Sequence, residues 1–355
     1  MKHCKHKIAA LLALTLIAAC GKKEQAAEPA AAAPAPAAKT ELTVYTAFEP
    51  EQLPGFKQAF EAANPEITLS WVRDSTGVIT ARLLAEKDNP RADAVWGLAA
   101  SSLMLLKAQG MLAPYAPQGV EKLDPRFVDS ATPPQWTADD AWEAAICVNT
   151  VEAQKHKLPM PKSWADLAKP VYKGYIVMPN PNSSGTGFLA VSGWLQQMGE
   201  EPAWKYMDAL HANVARYTHS GSKPCKEAAA GEIAIGISIG YTGAKQKAKG
   251  APIEIVHAAE GVGWDMEANA IVAGTKKLEA SKKLMDFAVS EAANQLYNEA
   301  YPVVALPGIA KPVEHYPANL ADKLIKNDFA WAATNRERIL AEWQKRYDGK
   351  SEPKS

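Results

Sequence analysis

The chain has 355 residues, 22% of them charged and 47% hydrophobic, with 39 basic residues balancing 39 acidic ones. That balance, with no basic face evident along the chain, speaks against a nucleic-acid partner. The length exceeds what one hydrophobic core usually serves, so two lobes are expected.

The first residues carry Lys2, Lys5 and Lys7, followed by an apolar run from Ile8 to Ala19. The run is shorter than the roughly 20 residues a bilayer crossing needs. It has the pattern of a cleaved secretory leader over residues 1–19. It ends in Ile17-Ala18-Ala19-Cys20-Gly21, which resembles a lipobox, in which the cysteine is lipidated after cleavage. The alternative is ordinary cleavage at small residues with Cys20 incidental; a cysteine directly after such a run favours the lipid, which would tether the protein without spanning the membrane. Residues 20–40 are Ala/Pro-rich and read as a spacer. The expected location is therefore periplasmic, with a membrane tether if Cys20 is lipidated.

From Glu41 onward, strand and helix patterns alternate. Leu42 to Thr46 is β-prone, and Leu53, Phe56, Phe60 and Ala63 share one helical face. Ile67, Leu69 and Trp71 alternate as in a strand, and a helix follows from Val78 to Leu84. Ala94–Trp96 predicts a strand and Leu103–Ala108 a helix. Past Asn149, strands are predicted at Tyr175–Met178, Val214–Tyr217, Ile233–Ile239 and Asn269–Ala273. Helices are predicted at Phe188–Gln197, Ala280–Val289, Asn294–Ala300 and from Leu320 to Arg346. This alternation implies an α/β fold with a mostly parallel sheet covered on both faces.

Four strand–helix turns are rich in Ser, Thr and Gly: Asp74–Gly77, Ala100–Ser102, Asn182–Gly187 and Ser220–Pro224. Helix N-termini offer unpaired N–H groups and a partial positive charge, so hydroxyl-rich turns at such ends suit an anion. In α/β sheets they gather beyond the C-terminal ends of the strands. Any one of them alone is an ordinary N-cap; the anion reading rests on four together.

Several stretches carry a family resemblance. ELTVYTAFEPEQLPGFKQAFEAANPEI, RADAVWGLAASSLMLLKAQGMLAPY and PKSWADLAKPVYKGYIVMPNPNSSGTGF resemble extracellular solute-binding proteins that feed ATP-driven importers. WVRDSTGVITARLLAEKDNP and YTHSGSKPCKEAAAGE are most similar to the 2-aminoethylphosphonate-binding branch. The resemblance implies a periplasmic-binding-protein-like fold of type II, two lobes joined by a two-segment hinge with the ligand cleft between them. Crossings near Trp142–Asn149 and Glu260–Glu267 divide the chain into residues 41–142 plus 267–315 and residues 143–266 plus 316–355. It further implies a monomeric, non-enzymatic receptor without cofactor that meets a membrane permease and an ATPase.

For a small anionic or zwitterionic phosphonate, the hydroxyl and backbone donors are Ser75, Thr76, Ser184, Gly185, Thr186 and Ser222, with Ser101 and Ser183 extending the set. Asp265 and Glu267 would take an ammonium group, with Trp264, Tyr45 and Tyr241 as wall residues. The bland alternative makes those carboxylates solvated loop charges and the aromatics hinge packing. A neighbouring branch binds ferric iron through adjacent tyrosines, whereas here Tyr241 stands alone between Gly240 and Thr242. Ferric iron or a phosphate ester remains the alternative cargo.

Cys147 and Cys225 can form a disulfide in an oxidising compartment, or be two separate buried thiols; the compartment favours the bridge. No histidine has metal-ligand spacing. Gly236-Ile237-Ser238-Ile239-Gly240 matches the nucleophile elbow of serine hydrolases. Alternating isoleucines explain it equally as a buried strand, and His257 and His315 follow without motif context. A secreted hydrolase is the remote alternative.

Overall fold

The structure, a computed structural model, describes residues 38–353. The leader over residues 1–19, Cys20 and nearly all of the Ala/Pro-rich spacer lie outside the described residues. In chain order come β1 (Thr40–Thr46), α1 (Leu53–Ala63), β2 (Ile67–Arg73), α2 (Thr76–Ala85), β3 (Ala94–Ala99), α3 (Ala100–Ala108) and β4 (Leu112–Ala113). Then follow β5 (Thr137–Asn149), α4 (Thr150–Lys155), α5 (Trp164–Leu167), β6 (Ile176–Pro179), α6 (Gly185–Met198) and α7 (Glu200–Asn213). Next are β7 (Val214–Thr218), α8 (Lys223–Ala230), β8 (Ile235–Ile239), α9 (Gly240–Ala248) and β9 (Ile253–Val256). The chain closes with β10 (Trp264–Val272), α10 (Leu278–Ala288), α11 (Glu291–Asn298) and α12 (Phe329–Tyr347).

The strands run in the order β2-β1-β3-β10-β5-β8-β6-β7, with β4 on β10 and β9 on β5. Pairing is parallel toward both ends, where strand–helix–strand units return on the same side. It is antiparallel in the middle, where β10 runs against β3 and β5, and β5 against β8. The expectation of a mostly parallel sheet therefore does not hold: five of the nine strand pairings, those of β4 and β9 included, are antiparallel. The reason is that β5 serves both halves: Thr137–Glu143 pairs with β10, and Ala144–Val148 pairs with β8.

The first half is a sheet covered on both faces. Leu42, Val44, Phe60, Trp96 and Leu284 pack on one side, while Val95, Leu98, Leu103 and Met266 pack on the other. Trp96 is fully buried and donates from Nε1 to the Tyr297 hydroxyl at 2.8 Å, so its polar atom is satisfied within the core. In the second half a larger core gathers Ile146, Ile176, Trp164, Trp194 and Ile237, and it takes Ile339 and Trp343 from α12. Cys147 on β5 and Cys225 on α8 are joined by a disulfide with a Cα–Cα separation of 5.5 Å.

The C-terminal helix starts later than the sequence pattern suggests. Leu320–Lys323 is a single 3-10 turn. After it, the Val262 amide donates to the Lys323 carbonyl at 2.8 Å and the Ile325 amide to the Val262 carbonyl at 3.2 Å. Those bonds hold the segment extended, and Asp328 then caps α12 by accepting from the Trp331 amide at 2.8 Å.

Candidate functional site

Three turns at the C-terminal ends of strands converge on one cavity. β2 ends at Arg73 and leads through Ser75 into α2; β6 leads through Asn180–Ser184 into α6; β7 leads through His219–Ser222 into α8. They bring Ser75, Thr76, Ser184, Gly185, Thr186 and Gly221 around a small cavity of about 30 Å3. Ala47, Glu49, Arg73, Trp142, Ile239 and Glu267 complete its wall. The positive ends of α2 and α6 therefore face the same space from the two halves, which is an arrangement suited to an anion.

Local chemistry positions those ends. Asn180 organises the β6–α6 turn by accepting from the Asn182 amide at 2.8 Å through Oδ1. Ser184 caps α6, accepting from the Gly187 amide at 3.3 Å. Ser75 occupies the N-cap of α2 in extended conformation and makes no side-chain capping bond. The halves touch directly, since the Gly77 amide donates to the Ser183 carbonyl at 2.9 Å. Only glycine permits that approach at two places. A Cβ on Gly185 would sit 2.5 Å from the Thr76 hydroxyl oxygen, and one on Gly77 would sit 2.2 Å from the Asn182 carbonyl oxygen.

Charged groups flank the hydroxyls. Arg73 donates from Nε to the Phe48 carbonyl at 2.9 Å and reaches Glu49 at 3.4 Å. Lys226, on α8 in the other half, reaches the second Glu49 oxygen at 3.2 Å, so Glu49 ties the two halves together. Opposite lies Glu267, 7% exposed, whose Oε2 has no hydrogen-bond partner. Burial, with the charges of Asp139 and Glu49, holds the Glu267 carboxyl well above the usual carboxylate range.

Other residues predicted for the site stand elsewhere. Ser101 is buried and donates to Asp265 at 2.6 Å. Asp265 also accepts from the Met266 amide at 2.8 Å, and burial pushes its pKa up to about 6. Neither lines the cavity, because each is consumed by the other at the start of β10. Trp264 donates to the Ile325 carbonyl at 2.8 Å and packs edge-on to Phe329. The Tyr45 hydroxyl donates to Glu86 at 2.8 Å and does not line the cavity. Tyr241 is buried against Tyr301, with ring centroids 5.5 Å apart. Ser183 turns away to donate to the His219 carbonyl at 3.1 Å. Ser222 lies just behind the wall, bonded to Ser220 at 3.1 Å and Lys226 at 3.2 Å.

Residue-level reading of the sequence missed Glu49, Arg73, Trp142 and Gly221. Arg73 carried a usable signal: it is the last residue of its strand and directly precedes a hydroxyl-rich turn. The hydrolase pattern at Ser238 falls within β8, where the hydroxyl donates to the Gly221 carbonyl at 2.6 Å. His257 is taken by Glu143 at 2.9 Å, and His315 lies 3.2 Å from Glu314.

Comparison with known proteins gives this geometry a family. The pattern of the bacterial extracellular solute-binding proteins matches residues 92–332. The chain is 27% identical over 266 residues to a probable ABC transporter periplasmic-binding protein, y4fP, of Sinorhizobium fredii, covering 72% of this chain and 71% of that one. Its fold is similar to that of the periplasmic binding protein AfuA of Actinobacillus pleuropneumoniae in its fructose-6-phosphate-bound form. The TM-score there is 0.82 and the identity 28%, covering 88% of this chain and 99% of that one. The apo ferric ion-binding protein A of Pasteurella haemolytica shares the fold, with a TM-score of 0.70 at 19% identity, over 86% and 98% of the two chains. The cleft between two sheet-and-helix halves and the extent of the family match lead to one conclusion: the chain belongs to the bacterial extracellular solute-binding proteins.

Proposed function

We propose that the chain is the exported receptor of an ATP-driven importer and captures a small phosphonate, 2-aminoethylphosphonate or a close relative, in the cavity between its halves. The observation that carries this reading is the convergence of the α2 and α6 N-termini, with Ser75, Thr76, Ser184, Gly185 and Thr186, on a space whose other wall is Glu267. Hydroxyls, backbone amides and Arg73 serve the phosphonate; Glu267 and Glu49 serve the ammonium. The receptor works as a monomer of two lobes, residues 41–142 plus 267–315 and residues 143–266 plus 316–355, that close over the ligand by a hinge. It is delivered to the periplasm by the leader, tethered through a lipid at Cys20, and hands its cargo to a permease driven by an ATPase.

A phosphate ester is the second reading, supported by the likeness to AfuA with fructose-6-phosphate. Titration calorimetry separates them. Saturable binding of 2-aminoethylphosphonate, with a ligand-dependent rise in Tm, is the expected result. Tight binding of a sugar phosphate or Fe(III) with no heat from the phosphonate would reject this ligand.

A further inference from the structure

Behind the Glu267 wall lies a set of buried oxygens that has no use in holding an anion. Asp140 on β5 and Glu267 on β10 are directly paired across the two strands. Asp140 is fully buried and neither of its carboxyl oxygens has a partner; Glu267 lacks one for Oε2. A register shift beside this pair, between Glu267 and Ala268 on β10, leaves Asp139 as the extra residue on β5. Such irregularities re-aim side chains at functional sites.

Among the described residues, Arg73 is a cation that acts on Glu267, and it is shared with Glu49. On β5, Asp139 is bonded to Asn269, and Glu143 is bonded to His257 at 2.9 Å. From the segment after β1, Glu49 adds negative charge and occupies both Arg73 and Lys226. The hydroxyls of Tyr301 and Tyr316 are also buried without partners, and Tyr241 packs against Tyr301. Burial and the neighbouring carboxylates raise the pKa of both Asp140 and Glu267, outweighing the lowering that the Tyr301 hydroxyl and Arg73 exert on Glu267. Two adjacent buried carboxylates whose neighbouring cation is already shared with a third carboxylate do not both ionise.

We propose that the Asp140–Glu267 pair holds one shared proton in the empty receptor and releases it to solvent when an ammonium-bearing ligand enters, so that capture is proton-linked and selects amino over hydroxy phosphonates. This rests on the phosphonate-receptor reading. Glu267 lines the cavity, so an ammonium at that wall meets the pair directly. It supplies the missing positive charge; the second carboxyl then ionises, and its proton passes to the buffer. A neutral hydroxyl in the same place instead bonds to the protonated pair and leaves the proton where it is.

The test is calorimetry of the full mature protein in HEPES and in Tris, whose ionisation enthalpies differ, with 2-aminoethylphosphonate and 2-hydroxyethylphosphonate. Both titrations are run above the second phosphonate ionisation of either ligand, which the ammonium lowers in the amino compound, so that neither phosphonate contributes a proton. The amino compound is expected to release about one more proton than the hydroxy compound. Its affinity advantage should exceed tenfold near neutrality and shrink on acidification. In the Asp140→Asn variant the excess release should vanish. Equal proton counts for the two ligands in the wild type would overturn the inference whether or not the variant folds, and persistence of the excess in a folded variant would do the same. Binding of neither compound would reject the phosphonate reading itself, and the inference with it.

Discussion

At the residue scale, the buried carboxylates of β5 and β10 have separable roles. Asp265 is held by Ser101 and its own backbone, with Arg336 contributing opposite charge and lying 4.1 Å over the Phe188 ring. Its folded pKa is raised from 3.8 to about 6, chiefly by burial. The native state therefore binds this proton more tightly than the unfolded state. The resulting stabilisation is present below about pH 4 and is lost as pH rises toward 6. Asp265→Asn removes that dependence. Denaturant unfolding across this window should show wild type losing about 3 kcal/mol relative to the variant as pH rises. An unchanged difference would assign the pH dependence to other carboxylates.

At the element scale, the site is built from helix starts brought together by strand ends. α2 comes from one half and α6 from the other, and they meet with so little space that a Cβ on Gly185 would sit 2.5 Å from the Thr76 hydroxyl oxygen and 2.9 Å from Trp142. Gly185→Ala inserts a methyl group into that contact. Overpacking of this kind costs about 1–3 kcal/mol, so ligand affinity should fall roughly tenfold or more. The unliganded protein, free to sit with its halves apart, should keep its Tm within a few degrees. Calorimetry and a thermal melt measure the two effects separately; a large loss of Tm without ligand would place the strain in α6 itself rather than in closure.

At the scale of the whole molecule, the site links groups far apart in the chain, and the proposed closure over a ligand would draw on them. Glu49 and Lys226 lie 177 positions apart and meet across the cleft at 3.2 Å. Lys226→Met removes that tie. Because the lysine side chain is 43% exposed, the cost should be modest, roughly twofold to fivefold in Kd. Small-angle scattering should show the radius of gyration falling on ligand addition, with the variant needing more ligand to reach the same value. A variant that closes at wild-type concentrations would mean that the ion pair contributes nothing to the closed state.

The alternation of strand and helix was legible because hydrophobic periodicity is a local property, and so were the hydroxyl-rich turns at Ser75–Thr76 and Ser184–Thr186. The strand β5 was not. Its sequence TADDAWEAAICVN carries three carboxylates and four alanines, poor strand formers by propensity, yet every residue is buried. Only pairing with β10 on one side of Glu143 and with β8 on the other makes it a strand. The sequence by itself determined an α/β chain with hydroxyl-rich turns at helix starts, since those follow from neighbours along the chain. Tertiary structure alone decided that the centre of the sheet is antiparallel, that Asp265 turns to Ser101 while Glu267, Glu49 and Arg73 face the cavity, and that Asp140 pairs with Glu267 across the strands. Burial and charge pairing depend on residues dozens to hundreds of positions away, and no local pattern encodes which of them will meet.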